Sequence, residues 1–320
     1  MPRSLDPESP QPTEAALSTR AVWNRFLLYP THTLPTAAAP VLVAAGLAAR
    51  DNCLAPLPLF LVFVGSWAIH VAGVLGDNHE LLRRHGDIAE HPELQRALSA
   101  GSLTLRALRR AILACLLLAV VCGIHPIAIG GMPALVIGAI GVVASLGYAC
   151  GPRPYARTGL ADPIFLLMFG TVAVAGSYYV QAAASRASFG WADMPWEAFV
   201  LGLPVGCVVT AVLVIDDIRD RSFDSRKGWN TTAVRFGLRG SRAEWCALLF
   251  GAYALPVWFW VGLGLGSAVL LPWLTLPFAW SIGRAVCRHD TEQALLRMTP
   301  RTSMLSLIHA TLLALGIAVA

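Results

Sequence analysis

Residues 212–228, VLVIDDIRDRSFDSRKG, leave an apolar segment and run directly into a cluster of acidic residues. The cluster consists of the four aspartates Asp216, Asp217, Asp220 and Asp224. Carboxylates at the end of a membrane-spanning helix are costly, because a bilayer does not solvate their charge. The stretch therefore predicts a membrane helix whose acidic end binds a positively charged partner.

The composition is that of a protein with many membrane spans. Of the 320 residues, 56% are hydrophobic and only 13% are charged, and the mean hydropathy is +0.61, whereas a soluble domain carries about 25% charged residues. The net charge of +5 is spread over short loops without interleaved aromatic residues, so we expect no nucleic-acid partner. The seven cysteines contain no C-x-x-C pair, which argues against a cysteine metal site or a disulfide framework.

Apolar stretches long enough to cross a bilayer core of about 30 Å follow a polar N-terminal segment. Residues 1–22 are predicted to be a disordered cytoplasmic tail, because Pro, Ser and Glu are mixed there. Residues 23–320 are predicted to form one all-α transmembrane domain. Its nine predicted helices lie at 33–49, 56–77, 106–123, 132–150, 162–183, 197–217, 244–264, 266–284 and 303–320.

The basic residues predict the orientation of these spans. With the N-terminus in the cytoplasm, all of the 24 Lys and Arg residues except Arg50 and Arg186 fall on the cytoplasmic side. Cytoplasmic loops carry an excess of Lys and Arg, so this asymmetry supports the predicted spans. The acidic ends of the second and sixth spans then both face the cytoplasm.

At 100° per residue along a helix, the four aspartates project into a single sector of about 100°. Like charges stacked in this way repel one another. Mg²⁺ is a suitable counter-ion, because it is commonly bound by one or two carboxylates together with substrate phosphates. Arg221 lies near the same face, and Arg226 and Lys227 follow, so the pattern predicts a diphosphate site. The alternative is a hydrated loop in which charged residues collect without function.

A second acidic segment, GDNHELLRRHGD, begins at Gly76 and ends the second span. Asp77 and Glu80 are three residues apart and share a helix face, and Asp87 follows a glycine that is expected to break the helix. Four spans lie between the two acidic segments, so both emerge on the same side and are candidates to face each other across one cavity. A solvated loop is the alternative here as well.

Longer stretches resemble the UbiA superfamily of intramembrane aromatic prenyltransferases. The block DDIRDRSFDSRKGWNTTAVRFG from Asp216 is similar to the second aspartate-rich motif of that family, [ND]-[ND]-x-R-D-x-x-x-D followed by G-K-R-T. The block YACGPRPYARTGLADPIFLLMFGTVAVAGSYYVQ from Tyr148 resembles one branch, the 1,4-dihydroxy-2-naphthoate polyprenyltransferases of menaquinone synthesis. The segments THTLPTAAAPVLVAAGLA and TSMLSLIHATLLALGIAV are similar to the first and last helices of that branch, so the resemblance covers nearly the whole chain after the tail.

This resemblance implies helices around a central cavity and a Mg²⁺-dependent transfer from a polyprenyl diphosphate to a small aromatic acceptor, 1,4-dihydroxy-2-naphthoate in this branch. Metal and basic residues draw charge onto the leaving diphosphate, and the isoprenoid tail lies in an apolar tunnel open to the lipid bilayer. A bacterial inner membrane location is also implied. By position, the resemblance implies that Asp77, Glu80, Asp216, Asp217, Asp220 and Asp224 bind metal, that Asp77, Asp217 and Asp220 are catalytic, and that Arg219 contacts substrate.

The chain departs from the family pattern at three places. The first motif reads G-D-N-H-E where the family has N-D-x-x-D, so an asparagine is replaced by glycine. The Lys and Arg of G-K-R-T are replaced by Trp229 and Asn230, for which Arg226 and Lys227 are the candidate substitutes. The basic residue of the family near the first helix is replaced by Tyr29.

Other polar residues lie close to these motifs. Asp162 and Gln181 bracket the fifth span, and Arg153 and Arg157 precede it. Contact with the acceptor or the diphosphate is one interpretation; the alternatives are helix capping by Asp162 and loop arginines that only set the topology. His79 lies inside the first acidic motif. It is interpreted either as a substrate contact or as a solvated loop residue.

Other functions fit parts of the pattern. Related branches use phenols, quinolones or homogentisate-like rings as acceptors, and a membrane terpene cyclase would need no acceptor. The altered first motif also fits a catalytically silent membrane partner. A Mg²⁺-linked carrier would need charge deep in the bilayer, whereas the carboxylates of this chain stay at one membrane face.

Overall fold

The computed structural model describes residues 33–85, 104–289 and 292–320, and the regular structure of these residues is entirely helical. The predicted tail, Tyr29 and Asp87 lie outside the described residues. Eight of the described helices are long and apolar enough to cross a membrane, which confirms the predicted all-α membrane fold. The helices of these spans are α1 (Thr33–Arg50), α2 (Pro56–His85), α3 (Leu105–Ala149), α4 (Ala161–Ser185), α5 (Leu203–Arg226), α6 (Thr232–Gly262), α7 (Leu276–Arg288) and α8 (Met298–Ala318). The spans of α5 and α7 include the short helical segments that precede them, so they run over Glu197–Arg226 and Ser267–Arg288.

Helix α3 joins the predicted third and fourth spans and accounts for the difference between eight helices and nine spans. Its 45 residues would extend about 68 Å as a straight helix, more than twice the thickness of a bilayer core. The backbone of Gly131 is non-helical, with φ 60° and ψ −143°. Leu108 near the start of α3 packs with Leu81 near the end of α2, and Cys150 just after α3 lies beside Gly76 of α2. Both ends of α3 therefore lie at the same end of α2, so the chain reverses at Gly131 and α3 supplies two spans.

Helix α5 lies at the centre of the bundle and α3 at its periphery. In the most apolar window of residues 197–226, 83% of the residues are buried, against 17% in the corresponding window of α3. Helices α1, α4, α5 and α8 share the main core, which includes the fully buried side chains of Leu47, Tyr178, Val205 and Leu313. Neighbouring helices therefore surround most of α5, and this packing fixes the position of its acidic end.

A close approach of α4 and α5 determines which of their polar residues meet. A Cβ atom on Gly206 would lie 2.6 Å from the Cα of Gly170 and 2.8 Å from its nitrogen, so the two backbones touch directly. A π-helical turn at Met168–Val172 surrounds this contact in α4. Beyond the contact, the first turn of α4 comes within electrostatic range of the acidic end of α5, where Asp162 and Asp217 interact.

The opposite end of the bundle is tied together around Asp51. The hydroxyl of Tyr178 donates to Oδ2 of Asp51 at 2.6 Å, and Nε of Arg50 donates to Oδ1 at 2.9 Å. Arg186 donates to the backbone carbonyl of Asp51 at 2.6 Å. The only two basic residues predicted to lie on this side of the membrane thus serve a structural contact between α1 and α4.

Candidate active site

The acidic ends of α2 and α5 meet at the mouth of a cavity. The carboxylate of Asp77 on α2 is within electrostatic range of Asp216 and Asp220 on α5 and of Glu80 on its own helix. Helix α5 continues to Arg226, as the single-sector argument required. The two segments, which the sequence predicted to emerge on the same side of the membrane, are therefore neighbours in the structure.

On α5, Arg219 holds two of the four aspartates. Its Nε and Nη2 donate to Asp220 at 2.8 and 2.6 Å, and its Nη1 donates to Asp216 at 2.5 Å. Thr299 at the start of α8 donates to the same Asp216 oxygen at 2.7 Å. The three charged side chains are between 18% and 30% exposed, so water screens these ion pairs only in part. Arg219 is therefore a counter-ion of the acidic cluster here, where the resemblance implied a substrate contact.

The α5 carboxylates do not all face the same neighbours. Asp216 lines the cavity, whereas Asp217 is within electrostatic range of Asp162 on α4. Asp224 is only 4% exposed and accepts a hydrogen bond from Thr231 at 3.3 Å. The acidic cluster thus extends from the cavity mouth towards α4 and towards the loop that follows α5.

On α2, the buried residues Glu80 and His79 form a network with two exposed arginines. Arg83 donates to both Glu80 oxygens, at 3.0 and 2.7 Å, and Nδ1 of His79 lies 3.2 Å from Glu80. Arg109 of α3 donates from Nε to Nε2 of His79 at 3.1 Å. Because Nε2 accepts, the ring proton of a neutral His79 is on Nδ1 and is donated to Glu80. His79 is 8% exposed, so its solvated-loop interpretation is wrong.

The other cations predicted to bind phosphate differ in their surroundings. The ammonium of Lys227 lies 5.5 Å from the ring centroid of Phe223. The exposed members of the predicted set are Arg153, Arg221 and Arg226.

Besides Arg219, the structure connects Arg157 to the cluster. It is partly buried at the end of a 3₁₀ turn, Tyr155–Arg157, between α3 and α4. Its Cζ lies 4.4 Å from the ring centroid of Trp229, and its charge acts on the carboxylate of Asp77. Arg153 and Arg157 were equivalent in the sequence, but only Arg157 has this position.

An apolar cavity of about 400 Å³ extends from the acidic cluster into the bundle. Asp77, Asp216 and Tyr148 line its polar end, and apolar residues of α1 to α5 form most of the remaining wall. A volume of this size lies within the usual range of ligand pockets, about 300 to 1,000 Å³. The cavity can therefore accept an apolar chain while its mouth presents charge.

A series of aromatic rings follows one wall of the cavity. Tyr155, Tyr148, Phe165, Phe169 and His70 are in contact in that order, with ring centroids 5.5, 5.5, 5.3 and 5.5 Å apart. The phenol of Tyr155 donates to a backbone carbonyl of α3 at 2.7 Å. Burial raises the pKa of Tyr155 above its ordinary value, so this phenol remains a neutral donor. The rings offer π faces near the acidic end of the cavity.

Asp162 and Gln181 occupy opposite ends of α4. The N-cap of this helix is Leu160, so the capping role predicted for Asp162 is wrong. Asp162 instead accepts a hydrogen bond from the Thr232 hydroxyl through Oδ2, and its buried Oδ1 has no hydrogen-bond partner among the described residues. Gln181 lies about 28 Å further along the helix, is fully buried, and donates to the carbonyl of Ser177 at 3.4 Å. The structure therefore does not bring Gln181 to the acidic cluster.

Several residues at the site were not selected from the sequence. Thr231 and Thr299 donate to carboxylates of the cluster, and Thr232 donates to Asp162 on α4 beside it. Thr231 and Thr232 lie inside the aspartate-rich block, after its last aspartate, and this position was a usable signal. Thr299 is 83 positions from its partner, and nothing in its local sequence marks it.

The donor set suits Mg²⁺ in its chemistry. Carboxylate oxygens bind Mg²⁺ together with waters and substrate phosphates. Among the described residues, no three Asp, Glu, His or Cys side chains converge closely enough to hold a metal ion by themselves. Arg219 also occupies oxygens of Asp216 and Asp220. The residues therefore fit a metal whose coordination is completed by a phosphate-bearing substrate.

Comparison with known proteins gives the family of the chain. Residues 37–305 match the UbiA prenyltransferase family. The chain is 27% identical, over 95% of its length and 97% of the relative, to 1,4-dihydroxy-2-naphthoate octaprenyltransferase of Escherichia coli (strain K12). It is 28% identical to the protein of the same name from Mycobacterium tuberculosis, over 68% of this chain and 71% of the relative.

Solved structures show the same fold. A UbiA homolog from Aeropyrum pernix K1 superposes with a TM-score of 0.64 at 19% identity, covering 91% of this chain and 97% of the other. A structure of digeranylgeranylglyceryl phosphate synthase superposes with a TM-score of 0.53 at 15% identity, covering 94% and 98%. The family match, which spans most of the chain, decides the assignment. The chain belongs to the UbiA prenyltransferase family and is an enzyme that transfers prenyl groups.

Proposed function

We propose that the chain transfers a prenyl group from a polyprenyl diphosphate to 1,4-dihydroxy-2-naphthoate. The observation that carries this proposal is the position of an acidic cluster, built from α2 and α5, at the mouth of an apolar cavity. A prenyl diphosphate needs charge at one end and an apolar surface along its chain, and this arrangement offers both. The names of the relatives support the acceptor and a chain of several isoprene units.

The acidic cluster is the proposed site of Mg²⁺. When bound, Mg²⁺ neutralises negative charge that develops on the leaving diphosphate. The carboxylates would hold the positive charge of the metal at the cavity mouth, and Arg157 adds a fixed cation beside Asp77. The residues proposed to hold the metal are Asp77, Glu80, Asp216, Asp217, Asp220 and Asp224.

In the proposed reaction, the bond between the allylic carbon and the diphosphate oxygen breaks, and its electron pair leaves with the diphosphate. A ring carbon of the acceptor attacks the allylic cation and forms the new C–C bond. The ring then loses a proton, and the carboxylate of the acceptor leaves as carbon dioxide with uptake of a proton. The apolar wall excludes water, which would otherwise capture the cation, and the faces of Tyr148 and Phe165 stabilise positive charge through cation–π attraction.

The proposed orientation places the cavity mouth at the cytoplasmic face of a bacterial inner membrane. The distribution of Lys and Arg supports this, because the basic residues of the loops beside the acidic cluster are those that predict the cytoplasmic side. A charged aromatic acid in the cytoplasm could then reach the cluster without crossing the bilayer.

The test is a prenyl transfer assay in native membranes with mass-spectrometric detection of product. Geranyl, farnesyl and longer diphosphates are combined with 1,4-dihydroxy-2-naphthoate, phenols, quinolones and homogentisate. We expect a decarboxylated prenyl naphthoquinol as the main product. A main product from another ring would overturn the acceptor assignment, and a hydrocarbon formed from the diphosphate alone would indicate a terpene cyclase. No product with any pair would indicate a silent membrane partner.

A matched pair of variants shows whether product formation depends on the described cluster. Asp217→Asn removes one carboxylate charge at the acidic end of α5. Asp193→Asn makes the same chemical change in an exposed turn between α4 and α5, where Asp193 accepts a bond from the backbone of Gly190. We expect loss of product in the first variant and near wild-type turnover in the second. Equal turnover in the two variants would show that prenyl transfer does not depend on the Asp217 carboxylate.

A further inference from the structure

The indole of Trp229 occupies a position where the family pattern has a lysine, and a guanidinium lies on its face. The Cζ atom of Arg157 is 4.4 Å from the Trp229 ring centroid. We propose that Arg157, held on the ring of Trp229, supplies the diphosphate-binding cation that position 229 itself lacks. Trp229 is then a positioning residue that acts through Arg157. This inference rests on the proposed function, because it assigns a role toward the diphosphate of the same reaction.

The loop that carries Arg157 is docked on the segment that carries Trp229. The backbone N–H of Asn230 donates to the carbonyl of Arg157 at 3.0 Å. Gly159 has φ of +74°, and a Cβ atom there would lie 3.1 Å from the carbonyl oxygen of Asn230. A residue with a side chain would be strained in this conformation and crowded against the facing backbone. The two segments therefore meet backbone to backbone, and the guanidinium is placed over the indole by both main chain and side chain.

Trp229 is itself fixed between the two acidic helices. Its ring meets Phe223 of α5 edge to face, with centroids 5.7 Å apart and an interplanar angle of 90°. Phe223 is 5% exposed and clusters with Leu81 of α2, and Trp229 packs against the same cluster. The indole is thus a rigid platform whose position follows the helices that carry the carboxylates.

The cation on this platform acts on the acidic cluster. The positive charge of Arg157 acts on the carboxylate of Asp77, which lines the cavity mouth. A guanidinium over an indole keeps its positive charge, and the planar fork of an arginine suits phosphate oxygens. By contrast, Arg219 is engaged with two carboxylates. Arg226, which the sequence predicted as a substitute for the missing cation, is exposed.

The alternative is that Trp229 only fills space and that Arg157 is only one of many loop arginines. The two interpretations differ in their effect on binding constants. A packing role predicts lower stability with little change in the KM of either substrate. A positioning role predicts a change in the KM of the diphosphate alone, and coupling between the two side chains.

The test measures KM for the prenyl diphosphate and for the acceptor separately, and the affinity of a non-reacting prenyl thiolodiphosphate. For Arg157→Gln we expect diphosphate KM to rise about 10- to 100-fold, the loss of one or two charge-assisted contacts, with acceptor KM unchanged. For Trp229→Leu we expect a rise of about 2- to 30-fold, and for Trp229→Phe a smaller one. The diphosphate KM of the double variant, Arg157→Gln with Trp229→Leu, should be no higher than that of Arg157→Gln alone, because the two changes remove the same interaction.

A relocation variant gives the sharpest result. Trp229→Lys combined with Arg157→Gln returns a cation to position 229, so we expect diphosphate affinity to recover to within about threefold of wild type. Matched controls are Arg239→Gln and Trp280→Leu, which make the same chemical changes at exposed positions. They should leave both KM values unchanged.

Three results would overturn the inference. Additive losses in the double variant would show that the two side chains act independently. The positioning role of Trp229 would be wrong if Trp229→Phe weakened diphosphate binding as much as Trp229→Leu does. It would also be wrong if the relocation variant did not recover diphosphate affinity. If Trp229→Leu fails to fold, Arg157→Gln and the relocation variant still decide the question. Failure of the proposed function is a separate outcome, because it would show as absence of prenyl transfer in the wild type.

Discussion

Replacing Arg219 by glutamine should destabilise the protein when divalent ions are absent and should make its stability depend on Mg²⁺. The side chain makes three charged hydrogen bonds, two to Asp220 and one to Asp216, at 2.5 to 2.8 Å. Breaking a buried ion pair costs about 3–5 kcal/mol, whereas an exposed pair contributes about 0–1 kcal/mol. Side chains that are 18% to 30% exposed lie between these limits, so we expect a loss of about 2–3 kcal/mol.

The reason for the Mg²⁺ dependence is electrostatic. Without Arg219, the carboxylates of Asp216 and Asp220 repel each other and the nearby Asp77. A divalent cation can replace the missing charge, and anything that binds the folded state alone stabilises it. The variant should therefore gain more stability from Mg²⁺ than the wild type does, although its turnover is expected to be low.

The assay is thermal unfolding of the detergent-solubilised protein in EDTA and over a Mg²⁺ titration. In EDTA, the apparent Tm of Arg219→Gln should lie about 4–6 °C below wild type, at about 2 °C per kcal/mol for a chain of this size. At saturating Mg²⁺ most of that difference should disappear. The control is Arg288→Gln, an exposed arginine at the end of α7, which should behave as wild type. If Mg²⁺ raised the apparent Tm of Arg219→Gln and of wild type by the same amount, the electrostatic account of the cluster would be refuted.

Three further predictions test other parts of the structure. Tyr178→Phe removes a hydrogen bond to a carboxylate at the far end of the bundle; it should cost about 1.5–3 kcal/mol in thermal unfolding and leave both KM values unchanged. Gly206→Ala forces α4 and α5 apart and should cost about 1–3 kcal/mol with reduced turnover, whereas Gly141→Ala, with open space around it, should be at least as stable as wild type. Phe165→Leu removes an aromatic face from the cavity and should lower kcat about 2- to 30-fold without changing diphosphate KM; Phe250→Leu, 76% exposed, should not.

The architecture was predictable because hydropathy and charge are local properties of a sequence. Each span is an apolar run of sufficient length, and the loops carry their Lys and Arg on one side. The reversal within α3 was predicted as a loop between two helices. The structure instead continues the helix up to a single non-helical glycine, Gly131, because one residue with positive φ is enough to turn the chain.

The site was predictable only in part, because the rotation of each helix about its axis depends on packing. The sequence placed the α5 aspartates in one sector, but packing directs Asp216 to the cavity and Asp217 to α4. Gln181 ends the block that begins at Tyr148, yet it lies at the far end of α4, because the length of the helix separates it from the acids. Thr299 reaches the cluster through the docking of α8, which no local pattern specifies.

The central claim is that the acidic ends of α2 and α5 form one Mg²⁺-dependent diphosphate site. The most direct measurement is the affinity of a prenyl thiolodiphosphate in membranes, with and without Mg²⁺, for wild type, Asp77→Asn, Asp217→Asn and the double variant. The account predicts Mg²⁺-dependent binding in wild type that is strongly weakened in each single variant, with the double variant little weaker than either, because the two carboxylates act as a unit. Binding that is independent of Mg²⁺, or that is unchanged in Asp77→Asn, would contradict it.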